Sequence, residues 1–191
     1  MTMSGLIVFL AVLAALVFGL IYLYNRIVQF KNAVERAWAD VITWERKKNK
    51  TLPKLEEMAS QYTGFEEAVM TRVAELRSAL ARLSDSVDPD RLADVERQTS
   101  SLFKSINIAV EAYPDLKASG VLESVMRELS ELQHNIAAAL TIFNHNVESF
   151  NNAIQTFPGS LINIFFNHEK KIRPFTDRQA QEGFDYKPLR N

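Results

Sequence analysis

The stretch LTIFNHNVESFNNAIQTFP, residues 140–158, has the apolar spacing of a helix but almost no charge. Its apolar residues recur at steps of three and four, which predicts an amphipathic helix. Glu148 is its single charged residue, and is also the only Asp, Glu, Lys or Arg between Glu131 and Glu169. Because soluble surfaces run at roughly 25 to 35% charged residues, we expect this helix to be covered by another surface.

The same periodicity extends outward from this stretch and predicts an all-α fold. Heptad-like seams run through residues 34–83, 92–113 and 122–157, and no segment alternates at period two for long enough to form a strand. Asp88 followed by Pro89 predicts a helix start, whereas Pro114 and Pro158 predict helix ends.

The first seam passes through Pro53 and leaves two alternatives. The proline either kinks one long helix or lies in the first turn of a second helix, for which Thr51 is the predicted N-cap. In the second alternative the chain reverses near residues 49–53. Four helices then alternate in direction, which gives an antiparallel (up-down) four-helix bundle with long, coiled-coil-like helices.

Residues 6–24, LIVFLAVLAALVFGLIYLY, form an uncharged run close to the roughly 20 residues needed to cross a bilayer. We therefore predict a single transmembrane helix within residues 1–25. Basic residues follow this run from Arg26 onward, so the positive-inside rule places the N-terminus outside and the bundle in the cytoplasm. The predicted bundle domain covers residues 26–166, and residues 167–191 are predicted to form an extended, loosely held tail.

Two short segments keep more than one interpretation. SLINIFF, residues 160–166, is too short to span a bilayer, so it either docks on the end of the bundle or lies in the membrane interface. The basic run ERKKNK, residues 45–50, is either a solvated helix end or a docking site for an acidic partner.

Composition and motifs exclude several classes of function. The 22 basic and 23 acidic residues form no basic stripe with stacking aromatics, which argues against nucleic-acid binding. The chain has no cysteine, and no phosphate-binding loop, nucleophile elbow or zinc-protease motif occurs in it. Glu131-x-x-His134 lacks the partner motifs of a di-iron site. We therefore predict no cofactor, no metal site and no enzymatic activity.

Two pairs of asparagines lie beside the apolar seams. Asn25 and Asn32 are seven residues apart, and so are Asn144 and Asn151, so each pair shares one helix face. We predict that Asn32 meets Asn144 and that Asn25 meets Asn151, which would set the helix register; the alternative is four solvated amides. The predicted anchors of the bundle or of an interface are five aromatic residues: Trp38, Trp44, Phe143, Phe150 and Phe157.

Three motifs resemble those of the LemA family and occur in the family's order. They are YNRIVQFKNAVERAWADV at residues 24–41, EAYPDLKAS at residues 111–119, and the two Phe-Asn pairs followed by Phe-Pro at residues 143–158. Where the family usually has QLKRRADLIPNL, this chain has TWERKKNKTLPKL. The resemblance implies a helical bundle anchored in the bacterial cytoplasmic (inner) membrane, with family members that act in membrane biogenesis or occur beside membrane proteases.

These observations favour a structural protein that contacts the lipid bilayer. We expect a homo-oligomer that self-associates through the charge-poor helix and organises the membrane or its proteins. The alternative is an adaptor or regulator of another membrane protein, such as a quality-control protease, with that partner covering the same helix face.

Overall fold

A computed structural model describes residues 3–60, 65–113 and 120–176 of the chain. These residues are helical without any strand, which confirms the predicted all-α class. The elements, in chain order, are α1 (Met3–Ala59), α2 (Phe65–Ala81), α3 (Pro89–Ala112), α4 (Gly120–Gln155), α5 (Gly159–Ile162) and a π-helical turn (Asn163–Asn167).

The helix boundaries follow the capping signals of the sequence at three places. The side chain of Asp88 accepts a hydrogen bond of 3.2 Å from the N–H of Arg91, and Pro89 is the first residue of α3. Helix α3 ends at Ala112, before Pro114, and α4 ends at Gln155, before Pro158. The prolines act as predicted because each would remove a backbone donor from a continuing helix.

Helix α1 continues through Pro53 to Ala59, so the predicted chain reversal near residues 49–53 is wrong. The predicted cap at Thr51 is wrong for the same reason, since Thr51 is buried in the helix interior. The proline removes only one backbone hydrogen bond, and its ring is exposed while the adjacent Leu52 is fully buried. Packing of the flanking apolar residues therefore outweighs the local cost.

The chain divides into two compact units. The first unit draws on residues 1–36 and 144–174, and the second draws on residues 37–143 together with the chain from Phe175. Helices α1 and α4 contribute to both units, because α1 continues past Arg36 and α4 continues past Phe143.

The second unit has a continuous apolar core, to which α1, α2, α3 and α4 all contribute. Trp38 of α1 lies against Phe143 of α4, with ring centroids 5.3 Å apart, and Lys48 of α1 bonds to Gln133 of α4. Residue numbers rise along α1 as they fall along α4, so these two helices are antiparallel in this unit. The clustered core residues are Leu52, Leu55, Met58, Val69, Val73, Leu76, Ala79, Leu80, Val95, Leu102, Phe103, Ile106, Ala109, Val110, Leu122, Val125, Met126 and Leu129.

In the first unit, the charge-poor part of α4 packs against α1. The side-chain amide of Asn146 donates a hydrogen bond of 3.3 Å to the carbonyl oxygen of Ala33, and Val34, Val147 and Phe150 are fully buried. At its N-terminal end α1 carries an 18-residue window with a mean hydropathy of 3.0, none of it buried. This part of α1 is long and apolar enough to cross a membrane.

Candidate functional site

A buried ionic cluster lies among three helices of the second unit. It consists of Glu45 and Lys48 on α1, Glu96 and Thr99 on α3, and Gln133 on α4, and each of these residues is at most 4% exposed. Charged side chains at this depth are rare unless they are paired, so the cluster is the most distinctive chemical feature of the described chain.

The ammonium group of Lys48 is the centre of the cluster. It donates hydrogen bonds of 2.9 Å to Oγ1 of Thr99 and 3.0 Å to Oε1 of Gln133. It also lies 2.9 Å from Oε2 of Glu45 and 3.6 Å from Oε1 of Glu96. Two donors of the ammonium therefore make hydrogen bonds, and two carboxyl oxygens lie close to its charge, so the buried lysine is surrounded by oxygen atoms.

Gln133 joins the positive and negative parts of the cluster. Its Nε2 donates a hydrogen bond of 2.6 Å to Oε2 of Glu96, while its Oε1 accepts from Lys48. If the amide were turned over, its NH2 group would face the ammonium of Lys48 and its oxygen would face the carboxylate of Glu96. Both contacts would then be repulsive. Only one orientation of the glutamine amide therefore fits this site.

The two carboxyl groups do not share the ammonium equally. Neither oxygen of Glu45 has a hydrogen-bond partner among the described residues, because the 2.9 Å contact with Lys48 meets the distance for an ion pair but not the angles of a hydrogen bond. Burial raises the pKa of Glu45 to about 8; Lys48 opposes the rise and Glu96 adds to it. With Glu45 protonated, the cluster holds one ammonium and one carboxylate and is neutral, which lowers the cost of burying it.

The pKa of Lys48 moves in the direction that keeps its charge. Burial alone would lower this pKa, but the neighbouring Glu45 and Glu96 carboxyls outweigh burial and raise it. The lysine therefore stays protonated over the physiological pH range. Because the cluster is sealed from solvent, its chemistry is that of a polar core that fixes how α1, α3 and α4 pack.

These residues correct one interpretation of the sequence. The run ERKKNK at residues 45–50 is not simply a solvated helix end, because Glu45 and Lys48 are fully buried. Its outward cations at Arg46, Lys47 and Lys50 are exposed, and docking of an acidic partner on them stays a prediction.

A signal for the cluster was present in the sequence. The buried residues Val41, Leu52 and Leu55 define a heptad seam on α1, and Glu45 and Lys48 occupy the two intervening seam positions. Charged residues at seam positions indicate a buried polar contact. The partner residues on α3 and α4 carried no comparable signal.

The metal-like residues do not come together in the structure. Glu131 and His134 are exposed, as are His145 and Glu148. Within the described ranges no group of three His, Cys, Asp or Glu residues is placed to hold a metal ion.

The predicted aromatic anchors separate into three environments. Trp38, Phe143 and Phe150 are fully buried, and the indole N–H of Trp38 donates to the carbonyl oxygen of Ser84 at 3.3 Å. Trp44 is half-buried beneath the ammonium of Lys47, 3.7 Å from the ring centroid. Phe157 is 80% exposed and lies outside the core.

The four asparagines differ in burial, and their predicted pairing stays a prediction. Asn25 and Asn32 are exposed, Asn144 is half-buried and Asn151 is buried. Asn151 exchanges two hydrogen bonds with the main chain of Ile172: its amide donates to the carbonyl oxygen at 2.8 Å, and its oxygen accepts from the N–H at 3.0 Å. This side chain therefore ties the chain after the π-helical turn to α4.

The first part of the predicted tail, residues 168–176, forms neither helix nor strand and is held by specific contacts. Asn163 makes the same two-way contact with the main chain of Glu169, at 3.0 and 2.9 Å, and the carboxylate of Glu169 forms an ion pair of 2.7 Å with Lys31. Together with Asn151, these contacts fix residues 169–172 against α1 and α4 of the first unit. Residues 177–191 of the predicted tail lie outside the described residues.

Comparison with known families identifies the family of this chain. The LemA family matches residues 37–183, which is most of the chain. The chain belongs to the LemA family. The matched region contains all five residues of the buried ionic cluster, together with Asn151, Asn163, Glu169 and Ile172. The family resemblance read from the sequence motifs is therefore confirmed.

A named relative from a mycoplasma agrees with this assignment. The chain is 27% identical over 133 residues to Protein LemA of Metamycoplasma hominis, which corresponds to 70% of this chain and 60% of the relative. The matched part thus spans about three fifths of the length of that protein.

Proposed function

We propose that this member of the LemA family is a non-enzymatic, membrane-anchored helical scaffold that self-associates and organises the membrane or its proteins. The observation that carries the proposal is the N-terminal part of α1, which has a mean hydropathy of 3.0 over 18 residues and no buried portion. Surface that apolar is stable only when lipid or another apolar surface covers it. The same helix also supplies core residues of the second unit.

The proposal includes the arrangement of the anchor and the bundle. The anchor crosses a bacterial cytoplasmic membrane once, with the N-terminus outside and an antiparallel four-helix bundle in the cytoplasm. Because α1 continues through Pro53, the four helices of this bundle are the part of α1 after the anchor together with α2, α3 and α4. The antiparallel contacts of α1 with α4 support the bundle, and the excess of basic residues after the apolar run supports the orientation.

Self-association rests on the outward face of α4. Ala138, Thr141 and Ile142 are exposed there, and Ile142 is 58% exposed. Charges that would disfavour contact between two copies are absent from residues 132–147 of the sequence. We therefore place the contact between copies on this face.

Light scattering of the full-length protein in mild detergent, corrected for bound detergent, tests the proposal. We expect a discrete mass of several times 21.7 kDa, and we expect Ile142→Glu to reduce it towards one chain. Ile108→Glu is the matched control, because Ile108 has the same side chain and a similar exposure of 59% on α3. A wild-type mass near one chain would contradict self-association and favour the adaptor, whose partner would cover the same face.

A further inference from the structure

Five large apolar side chains stand exposed in the short segment after α4. They are Phe157 at 80%, Leu161 at 47%, Ile164 at 61%, Phe165 at 69% and Phe166 at 58% exposure. Residues 157–166, the interfacial segment, comprise α5 and most of the π-helical turn. An apolar patch of this kind on a folded unit indicates a surface that contacts something else.

The patch lies beside the apolar part of α1, and this position determines the depth that the patch would have in a bilayer. Phe166 lines an apolar pocket of about 270 Å³ together with Val17, Leu20, Ile21 and Tyr24, all in the first unit. These four residues form the last two turns of the apolar run, over a helix length of about 10 Å. If α1 crosses a bilayer, Phe166 lies at the depth where the hydrocarbon region meets the headgroups.

The backbone of the segment suits an apolar environment. The N–H of Ser160 donates a hydrogen bond of 2.9 Å to the carbonyl oxygen of Thr156, and the N–H of Leu161 donates one of 3.2 Å to the carbonyl oxygen of Pro158. The N–H of His168 donates a hydrogen bond of 2.7 Å to the carbonyl oxygen of Asn163. The side chain of Asn163 also satisfies both main-chain groups of Glu169. Helical and side-chain bonding of this kind is required where lipid replaces water.

Charge in the same unit matches a lipid surface. The sequence of the first unit contains six basic residues and three acidic ones. Lys170 and Lys171 are exposed directly after the turn, and Arg26 follows the apolar run of α1. Apolar side chains at one level and long cations beside them are the pattern of segments that lie in a membrane interface, where cations contact anionic headgroups.

We propose that the interfacial segment inserts into the headgroup–acyl boundary of the bilayer beside the inner end of α1, as a second membrane contact of the chain. Phe165 and Phe166 enter the acyl region, while Lys170 and Lys171 contact anionic headgroups. This inference rests on the proposed membrane anchor. Under this proposal, residues 160–166 take the membrane-interface alternative.

A fluorescence measurement tests this insertion on the full chain in vesicles of phosphatidylcholine and phosphatidylglycerol in equal amounts. The chain has no cysteine, so Phe165→Cys gives a unique site for an environment-sensitive nitrobenzoxadiazole label. We expect the label at position 165 to lose most of its fluorescence to lipids that carry a nitroxide near the headgroup. We also expect protection of this label from aqueous iodide.

Two further single-cysteine variants separate the possible failures. Ile108→Cys on α3 is the aqueous control and should be quenched by iodide only, since Ile108 is exposed in the second unit. Leu13→Cys lies in the middle of the apolar run and should be quenched by nitroxides deep in the bilayer. Loss of the signal at position 13, with quenching by nitroxide lipids kept at position 165, would contradict the proposed anchor and show that the segment reaches lipid without it, so the two failures are distinguishable.

Two results at position 165 would overturn the inference. Quenching by iodide equal to that at position 108 would mean that the segment stays in water. Protection from iodide without quenching by nitroxide lipids would mean that protein, such as a second copy of the chain, covers it. Circular dichroism of each labelled variant verifies that the helical fold is intact before the two signals are compared.

Discussion

The ammonium of Lys48 is held in the core by oxygen atoms from three helices. Its hydrogen bonds to Thr99 and Gln133 and its contacts with the Glu45 and Glu96 carboxyl groups replace the water that burial removes. A buried ion pair adds little net stability compared with an apolar pair of the same shape, but removal of one partner leaves the other charge unmatched. The cluster therefore selects one packing of α1, α3 and α4 rather than simply strengthening it.

Substitution Lys48→Met should lower the free energy of unfolding by about 3–5 kcal/mol. Methionine fills most of the same volume but leaves Glu45 and Glu96 buried without their cation. Lys50→Met is the control because Lys50 is exposed on the same helix, and it should change stability by less than about 0.5 kcal/mol. Denaturant unfolding followed by circular dichroism measures both, and equal effects would contradict an essential role for the buried ammonium.

Stability should fall as the pH rises from about 5 to 8. In the folded protein the pKa of Glu45 is raised to about 8. In the unfolded chain this carboxyl has its ordinary pKa of 4.5, so between these two values only the folded protein keeps the proton. The folded state binds more protons in this window, so the free energy of unfolding decreases with pH. The raised pKa of Lys48 acts only above its ordinary value of 10.5.

Substitution Glu45→Gln should remove this dependence, because the amide imitates the protonated carboxyl and does not titrate. The melting temperatures of the wild type and the variant at pH 5, 6, 7 and 8 provide the comparison, and titrations common to both chains cancel in it. The lowered pKa of Asp94, held down by Arg97 and Arg82, affects stability only at acid pH. A difference in melting temperature between wild type and variant that stays constant across the window would show that Glu45 is ionised in the folded protein.

Among the elements, α1 shows where packing outweighs local propensity. Pro53 lies in the interior of this helix, and Leu52 and Leu55 on either side of it are fully buried. A proline in a helix interior costs about 3 kcal/mol relative to alanine. Burial of the flanking side chains and the contacts of the buried ionic cluster one turn earlier hold the helix together.

Substitution Pro53→Ala should raise the free energy of unfolding, by up to about 3 kcal/mol. Alanine restores the missing backbone donor, although the more flexible unfolded chain offsets part of the gain. Glu57→Ala, at another exposed position of the same helix, should have a much smaller effect. A loss of stability in the Pro53 variant would instead indicate that the proline begins a helix, where its fixed geometry is favourable.

The sequence pattern predicted helices better than it predicted their partners. Periodicity and capping residues located α3 and the end of α4, because these signals are local. The course of α1 past Pro53 and the burial of Glu45 and Lys48 depend on side chains from α3 and α4, which are distant in sequence. Asn151 and Ile172 illustrate the same limit, since no local pattern identifies a main-chain partner 21 residues away.

For the molecule as a whole, the charge-poor helix is covered largely by its own chain. Its inward residues are fully or almost fully buried, so its lack of charge does not by itself require a second copy. The exposed remainder around Ile142 is the surface on which the proposed self-association depends. The buried residues of this helix between positions 136 and 154 include Ile136, Leu140, Phe143, Val147, Phe150 and Ile154.

The proposed orientation of the chain across the membrane rests on the charge on one side of the apolar run. Arg26, Lys31 and Arg36 follow this run within about 15 residues, whereas residues 1–25 contain no Lys or Arg. A membrane-impermeant maleimide, applied to intact bacterial cells, tests this orientation with single cysteines at positions 2 and 50. We expect it to reach only the first of them. Thr2→Cys should react directly, and Lys50→Cys should react only after the membrane is permeabilised.

The native chain, which has no cysteine, supplies the background for both variants. Labelling of Lys50→Cys in intact cells, with Thr2→Cys protected, would reverse the proposed orientation. It would also place the basic residues that follow the apolar run outside the cell, against the positive-inside rule. Labelling of both positions only after permeabilisation would place the whole chain on the cytoplasmic side, and the apolar run of α1 would then need a protein surface instead of lipid to cover it.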